Sequence, residues 1–338
     1  MYKVEYKPLV PILVKMTGFC KILKITVIVT GIGFIYAMGR LYFAVTAGFV
    51  LDNIKADLPP DPRWQLEKLL PEEENLIGEA LNQPYTYLGK GCQSYVFASQ
   101  DGTYVIKFVK FQRFRPQPWI APLTAFPWID EFYHKKIREK KVKLDKLFTS
   151  WKLAYEYLKE ETGVLFVHLN ETPQWNKQLK IIDKAGFEYT LSLGNMHFML
   201  QHRAEMLKAS IDQYMAEANE EKACALIDSL LGMLLSEYMR GFADNDHALM
   251  QNTGVLDGRP IHIDAGQFIF NPLVQNAELF KREIYDKTYN FSKWLQQKHP
   301  MLALHLTSRL VALLGIDYFT MQPYVHKGDV NKIPHHNY

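Results

Sequence analysis

Three stretches carry side chains whose types and spacing could do chemistry. The first is Gly241–Phe268, GFADNDHALMQNTGVLDGRPIHIDAGQF. It crowds Asp244, Asp246 and His247, then the amides Gln251 and Asn252, and ends in Asp264-Ala265-Gly266 after a turn-like Asp257-Gly258. That order delivers oxygen ligands to one point from two ends of a hairpin, as hard divalent cations in phosphate chemistry require. The second is Gly89-x-Gly91-x-x-Ser94-x-Val96. Its glycines let backbone N–H groups approach phosphate oxygens without a Cβ in the way. The third is Lys107, whose neighbours Val105, Ile106, Phe108 and Val109 argue against a wholly exposed strand. Plain alternatives stand beside these: a turn-capping role for Asp264, a surface lysine at Lys107, and Asp244 in place of Asp246.

The elements that must position these groups follow from periodicity. Residues 85–111 alternate about Asp101-Gly102 and predict a hairpin, with the glycine-rich loop before it and Lys107 on the third strand. Residues 112–128, with four prolines, read as an irregular loop. From Ile129 to about Thr162 the pattern is helical, with Tyr133, Ile137, Leu144, Leu147, Trp151, Tyr155 and Leu158 along one stripe. The basic run 134–146 lies on that helix, as a solvated face or as a patch for anionic lipid. Strands are expected at 163–170, 177–183, 187–193 and 196–202, then helices at 203–219 and 221–240, the latter apolar all round. Past Gly266 the chain reads as mostly helical to about Leu314, with Pro272 and Pro300 as breaks. Asp57–Pro62 is a linker, with a short helical stretch at 63–82 interrupted by Pro71.

Composition sets the frame. With 338 residues, 48% hydrophobic and 13% aromatic, the chain has ample material for a packed core. A net charge of +3 gives no case for a nucleic-acid partner. Cys20, Cys92 and Cys224 lie too far apart to indicate a zinc site or a disulfide framework. Lys3, Lys7, Lys15, Lys21 and Lys24 precede two uncharged runs, 25–39 and 41–51, separated by Arg40. Together they predict a membrane-associated segment, whether a span, a hairpin or an interfacial anchor. A buried helix pair and a cleaved signal are the alternatives.

The order of strand, glycine-rich loop, lysine strand, helix, strands, buried helix, acid–amide loop and Asp-x-Gly resembles the protein-kinase-like superfamily. IHIDAGQF is similar to the His-Ile-Asp-Phe-Gly-His of the phosphoinositide-type kinases, an atypical branch, and no Ala-Pro-Glu follows Asp264. The resemblance implies an α+β bilobal fold, with a small antiparallel-sheet lobe at 85–200 and a mostly helical lobe at 201–322. An apolar N-terminal segment (1–56), a linker with a short helix (57–84) and a tail (323–338) complete it. It implies that Gly89, Gly91, Ser94 and Val96 cover a nucleotide and that Lys107 pairs with its phosphates. Asp246 becomes the catalytic acid and Asp264 the Mg²⁺ ligand, with Gln251 or Asn252 beside it. ATP and Mg²⁺ are the implied cofactors. The acceptor stays open among protein, lipid and small molecule.

Three departures accompany the resemblance. The residue five after Asp246 is Gln251, and Asn252 comes one later. Asp244-Asn245 stands where His-Arg is usual. Among Glu131, Glu139, Glu156 and Glu161, none has a helical phase that suits a partner for Lys107. A pseudokinase scaffold and a membrane-associated interaction protein are therefore the rival functions. Upstream lysines favour a cytoplasmic N-terminus. A single span would then carry the domain away from ATP, so the kinase-like reading favours a hairpin or surface anchor and a cytoplasmic domain.

Overall fold

The computed structural model describes residues 10–172, 175 and 177–323, without the side chains of 10–22, 316 and 317. The readings of Lys3, Lys7, Lys15, Lys21 and Cys20 as side chains, and of the tail past 323, lie outside the described residues. The chain divides into two compact units. One takes the N-terminus through Val50 with Asp183–Phe187, and the other takes the rest.

In the first unit, helix α1 (Val10–Thr46) runs unbroken for 37 residues. No hairpin forms at Arg40, because the chain has no proline between Ile12 and Thr46 and an arginine does not end a helix. The helix stops instead at Ala47 and Gly48, whose φ values are 55° and 74°. Leu23–Thr46 is long and apolar enough to cross a membrane. Its flank is exposed, with Ile35 72% accessible, so the buried helix pair is not realised. Lys184 Nζ donates to Ala44 O at 3.0 Å, a cation where the helix dipole favours one.

In the second unit, helix α2 (Pro71–Ala80) begins at the proline expected to interrupt it. At a helix's first position the missing N–H has no intrahelical partner to lose. One seven-stranded sheet follows: β1 (Tyr85–Lys90), β2 (Ser94–Ser99), β3 (Tyr104–Val109), β4 (Val164–His168), β5 (Gln178–Ile182), β6 (Glu188–Ser192) and β7 (Phe198–His202). Its order is β4-β7-β3-β2-β1-β5-β6. The sheet is mixed, not purely antiparallel, because β1 and β5 pair in parallel at Tyr85↔Ile181. The β5–β6 hairpin thereby covers the edge of β1, which would otherwise present unpaired backbone groups.

Helix α3 (Pro127–Tyr157) ends at Leu158, where ψ is 31°, and a separate turn α4 (Lys159–Thr162) completes the stretch expected as one helix. The loop at 112–128 contains a 3₁₀ turn at Pro118–Leu123. Strand β8 (Glu205–Met206) displaces the expected helix start at 203, because it pairs with Gly254 and Val255. Helices α5 (Leu207–Ala216), α6 (Glu220–Met239), α8 (Ala277–Lys298) and α9 (Pro300–Leu314) share one core around Ile227, Leu230, Phe291 and Leu306. Asn219 opens α6 by accepting the Lys222 N–H at 3.1 Å.

Two small antiparallel strand pairs lie between α6 and α8. Strand β9 (Phe242–Asp244) pairs with β12 (Phe268–Phe270). Strand β10 (Thr253–Leu256) pairs with β11 (Arg259–His262) about Asp257-Gly258. Both turn residues have positive φ, 50° and 78°, the conformation that two-residue hairpins favour. Helix α7 (Leu249–Asn252) separates the two pairs. The architecture is α+β, one curled sheet beside a helical part, with one apolar N-terminal helix.

Candidate functional site

Lys107 occupies the middle of β3, between Val96 on β2 and Met199 on β7, and is 8% exposed. The surface-lysine alternative therefore fails. Burial pushes its ammonium below the usual lysine range, and the Asp264 carboxylate opposes that shift. Its Nζ donates to Ile263 O. No glutamate of α3 or α4 answers it. Glu139 pairs with Lys136 (2.7 Å), Glu156 with Lys152 (3.6 Å) and Glu161 with Arg240, while Glu131 is exposed.

Opposite Lys107, the segment Asp264-Ala265-Gly266 is pinned by α3. The fully buried Ser150 Oγ donates to Ala265 O at 2.7 Å and accepts the Phe268 N–H at 2.6 Å. Asp264 is exposed, and its Oδ1 accepts the Gly266 N–H at 3.0 Å. Capping is thus real for one carboxylate oxygen. The other accepts no hydrogen bond among the described residues. Gln93, from the glycine-rich loop, lays its amide on Gly266, where a Cβ would collide with Gln93 Oε1. The site's steric need for glycine falls here. Gly89 and Gly91 have open space or ordinary contact around a notional Cβ and need no positive φ. Gly91 donates its N–H to Ser94 O at 3.0 Å and accepts from Lys110 Nζ, which closes the loop locally. Val96 pairs with both Gly89 and Lys107, so the loop and the lysine share one register.

Asp244 and Asp246 separate cleanly. Asp244 is 3% exposed and 3.4 Å from Lys287 Nζ, and its Oδ1 accepts the Asp246 N–H at 3.0 Å. Burial raises its pKa, against the pull of Lys287. Asp244 therefore holds the loop. Asp246 is half-buried; its Oδ1 accepts the Ala248 N–H at 2.9 Å and its Oδ2 accepts from Gln267 Nε2 at 3.2 Å. Beneath them, His262 Nε2 lies 2.8 Å from Glu237 Oε1 with both side chains buried. Burial alone would lower the His262 pKa, but Glu237 and Asp244 together outweigh it and the net shift is upward.

Gln251 and Asn252 also part. Helix α7 turns Gln251 toward an open cavity of about 290 Å³, shared with His247, Lys287, Lys293 and Trp294. Asn252 O accepts the Ile263 N–H at 2.7 Å, beside Asp264, and its Nδ2 is buried without a partner. Mg²⁺ bound with phosphates takes one or two carboxylates and other hard oxygens. The amide nitrogen is a donor and no metal ligand, but Asp264 with an unengaged oxygen, beside an Asn252 whose Oδ1 accepts no hydrogen bond among the described residues, fits that donor set, and Gln251 does not. Among the described residues no group of three His, Cys, Asp or Glu could hold a metal. A cation here would need phosphate oxygens as well.

The structure thus brings Gln93, Lys107, Asp246, Asn252 and the Asp264–Gly266 segment together, and leaves Gln251 aside. Sequence reading missed Gln93, Ser150, Gln267 and Lys287. Gln93 and Gln267 lay inside the quoted stretches, and Ser150 is a small polar residue beside the apolar stripe of α3; nothing marked Lys287. No protein-family profile matches the chain, and neither does any curated protein. Among solved structures, a medium-resolution structure of the bifunctional kinase-methyltransferase WbdD is similar at 16% identity and a TM-score of 0.32, over 65% of this chain and 43% of that one. A high-resolution crystal structure of WbdD is similar at 14% identity and the same TM-score, over 66% and 44%. The chain spans less than half of either WbdD chain. A likeness of that size says nothing of function.

Proposed function

We propose that this protein is an atypical kinase-like phosphotransferase, using Mg²⁺ and ATP to phosphorylate a hydroxyl acceptor, and attached to a membrane through Leu23–Thr46. The observation that carries the reading is one meeting point for four separate stretches. Gln93 lies on Gly266, Lys107 reaches Ile263 O, Asn252 O binds Ile263 N–H, and Gln267 reaches Asp246. Phosphoryl transfer asks a protein chiefly for positioning and charge neutralisation. Lys107 supplies a buried cation for the phosphates. Asp264 and Asn252 would hold Mg²⁺, which neutralises phosphate charge when bound. Asp246 orients the acceptor hydroxyl and takes its proton. Transfer of label from γ-labelled ATP, lost in Asp246→Asn, is the expected result. No transfer to any hydroxyl acceptor, with nucleotide still bound, overturns the enzyme.

One observation favours a second reading, a nucleotide-binding pseudokinase. Lys107 has no acidic partner on α3, and both Asp246 oxygens are engaged by the loop itself. That reading predicts nucleotide binding that survives Asp246→Asn and no label transfer from either protein.

A further inference from the structure

The basic run at 134–146 takes no part in this site. In α3 no side chain is fully buried before Leu144, and Pro127–Lys143 forms an arm roughly 25 Å long at 1.5 Å per residue, tied to the preceding loop where Lys140 Nζ donates to Arg113 O. Its base-to-tip composition is uneven. Around the 3₁₀ turn and the start of the helix, Trp128 is 72% exposed, Trp119 66%, Phe126 56% and Phe132 47%. The rings of Phe126 and Trp128 lie 6.4 Å apart, and Phe126 joins the turn to the helix through its N–H to Leu123 O (3.2 Å). Behind these rings comes HKKIREKKVKLDK, with seven basic side chains against two acidic ones. Both acids are already taken: Glu139 by Lys136 and Asp145 by Arg63. Lys136 Nζ also sits 5.4 Å from the Phe132 ring centroid. Lys135, Arg138, Lys141 and Lys143 form no ion pair among the described residues.

We infer that this arm is a membrane-seating element, its Trp119–Phe132 tip entering the interface of an anionic bilayer and its basic run lying on the headgroups. Tryptophan and phenylalanine at a water-exposed tip suit the interfacial zone, where an apolar ring body and a polar edge are both accommodated. A collar of unpaired cations behind them complements anionic headgroups and is screened by salt. The inference rests on the membrane attachment proposed above only in that attachment supplies the bilayer.

Tryptophan fluorescence of the full chain tests it, in vesicles whose phosphatidylcholine carries bromines near the headgroup, with or without phosphatidylserine. Trp64 and Trp151 are buried and Trp175 and Trp294 half-buried, so quenching by lipid reports Trp119 and Trp128. The expected result is quenching that is greater with phosphatidylserine and reduced by salt. It is lost in W119F/W128F, and its phosphatidylserine dependence is lost in K135E/K141E. These positions are exposed, so an unchanged thermal midpoint certifies that the variants fold. Equal quenching in wild type and W119F/W128F, or no quenching in any vesicle, overturns the arm. Release of the whole protein by alkaline carbonate instead refutes the α1 anchor, and leaves the quenching comparison readable.

Discussion

Two lysine–aspartate neighbourhoods face the same loop system and are built in opposite ways. Lys287 and Asp244 are both nearly inaccessible, 3.4 Å apart, and further tied by Lys287 Nζ to Asp246 O at 3.0 Å. Lys107 is buried too, yet it binds a carbonyl, and the aspartate beside it is exposed. The first is closed on itself and fixes backbone. The second leaves a buried cation without a carboxylate partner next to an acid open to solvent, which is a receptive arrangement for an anion bridged by a cation. The difference teaches that proximity of opposite charges does not mark a site. What marks it is charge left unsatisfied by the fold.

The largest effect should come from breaking the closed pair. Lys287→Met leaves Asp244 buried and unpaired, at about 3–5 kcal/mol of stability. Lys107→Met removes a desolvated charge that has no carboxylate to orphan, and should cost under about 1 kcal/mol by the same reasoning. Urea unfolding of both variants decides it, and equal losses would erase the distinction. Next in size, Asn252→Ala should weaken Mg·ATP binding by roughly tenfold or more, as losses around metal sites do. Gln251→Ala should leave calorimetric affinity nearly unchanged. The reverse ranking would move the ligand into the cavity.

A smaller effect concerns pH. His262 has a folded pKa raised by Glu237. The stability that this pair contributes is fully present below the unfolded histidine pKa of about 6.5. It is lost as pH rises through the raised folded value. The stability gap between wild type and Glu237→Gln should therefore narrow as pH rises, in unfolding midpoints measured across that window. A widening gap would mean a neutral His262. Smallest of all, Gly266→Ala displaces the flexible end of Gln93 and nudges the Asp264 carboxylate, so it should cost under about 1 kcal/mol and free the glycine-rich loop for faster proteolysis. A large loss would mean that the backbone there cannot give.

Much of the sheet was legible because β2 and β3 alternate or run apolar on either side of one clear turn, Asp101-Gly102, and Asp257-Gly258 marked the separate β10–β11 hairpin in the same way. The burial of Lys107 followed from its four apolar neighbours. The β1–β5 pairing was not legible, since a parallel pair between strands so distant in sequence leaves no local signal. Pro71 was misread as a break because the pattern before it, Trp64–Leu70, looked helical and hid that a proline opens a helix well. The continuity of α1 through Arg40 stayed open among a span, a hairpin and an anchor because charge marks depth in a membrane, not the end of a helix. The role of Ser150 was hidden because periodicity locates a face, not what faces it. The choice between Gln251 and Asn252 depended on α7, a four-residue helix too short to show in any pattern.

The central claim is that Lys107 and Asp264 jointly receive Mg·ATP. Thermal unfolding of the full chain with millimolar Mg·ATP tests it most directly, for wild type, Lys107→Met and Asp264→Ala. The account predicts a raised midpoint for wild type, dependent on Mg²⁺, and none for either variant. An unshifted wild type, or a shift that Asp264→Ala retains in full, would contradict it.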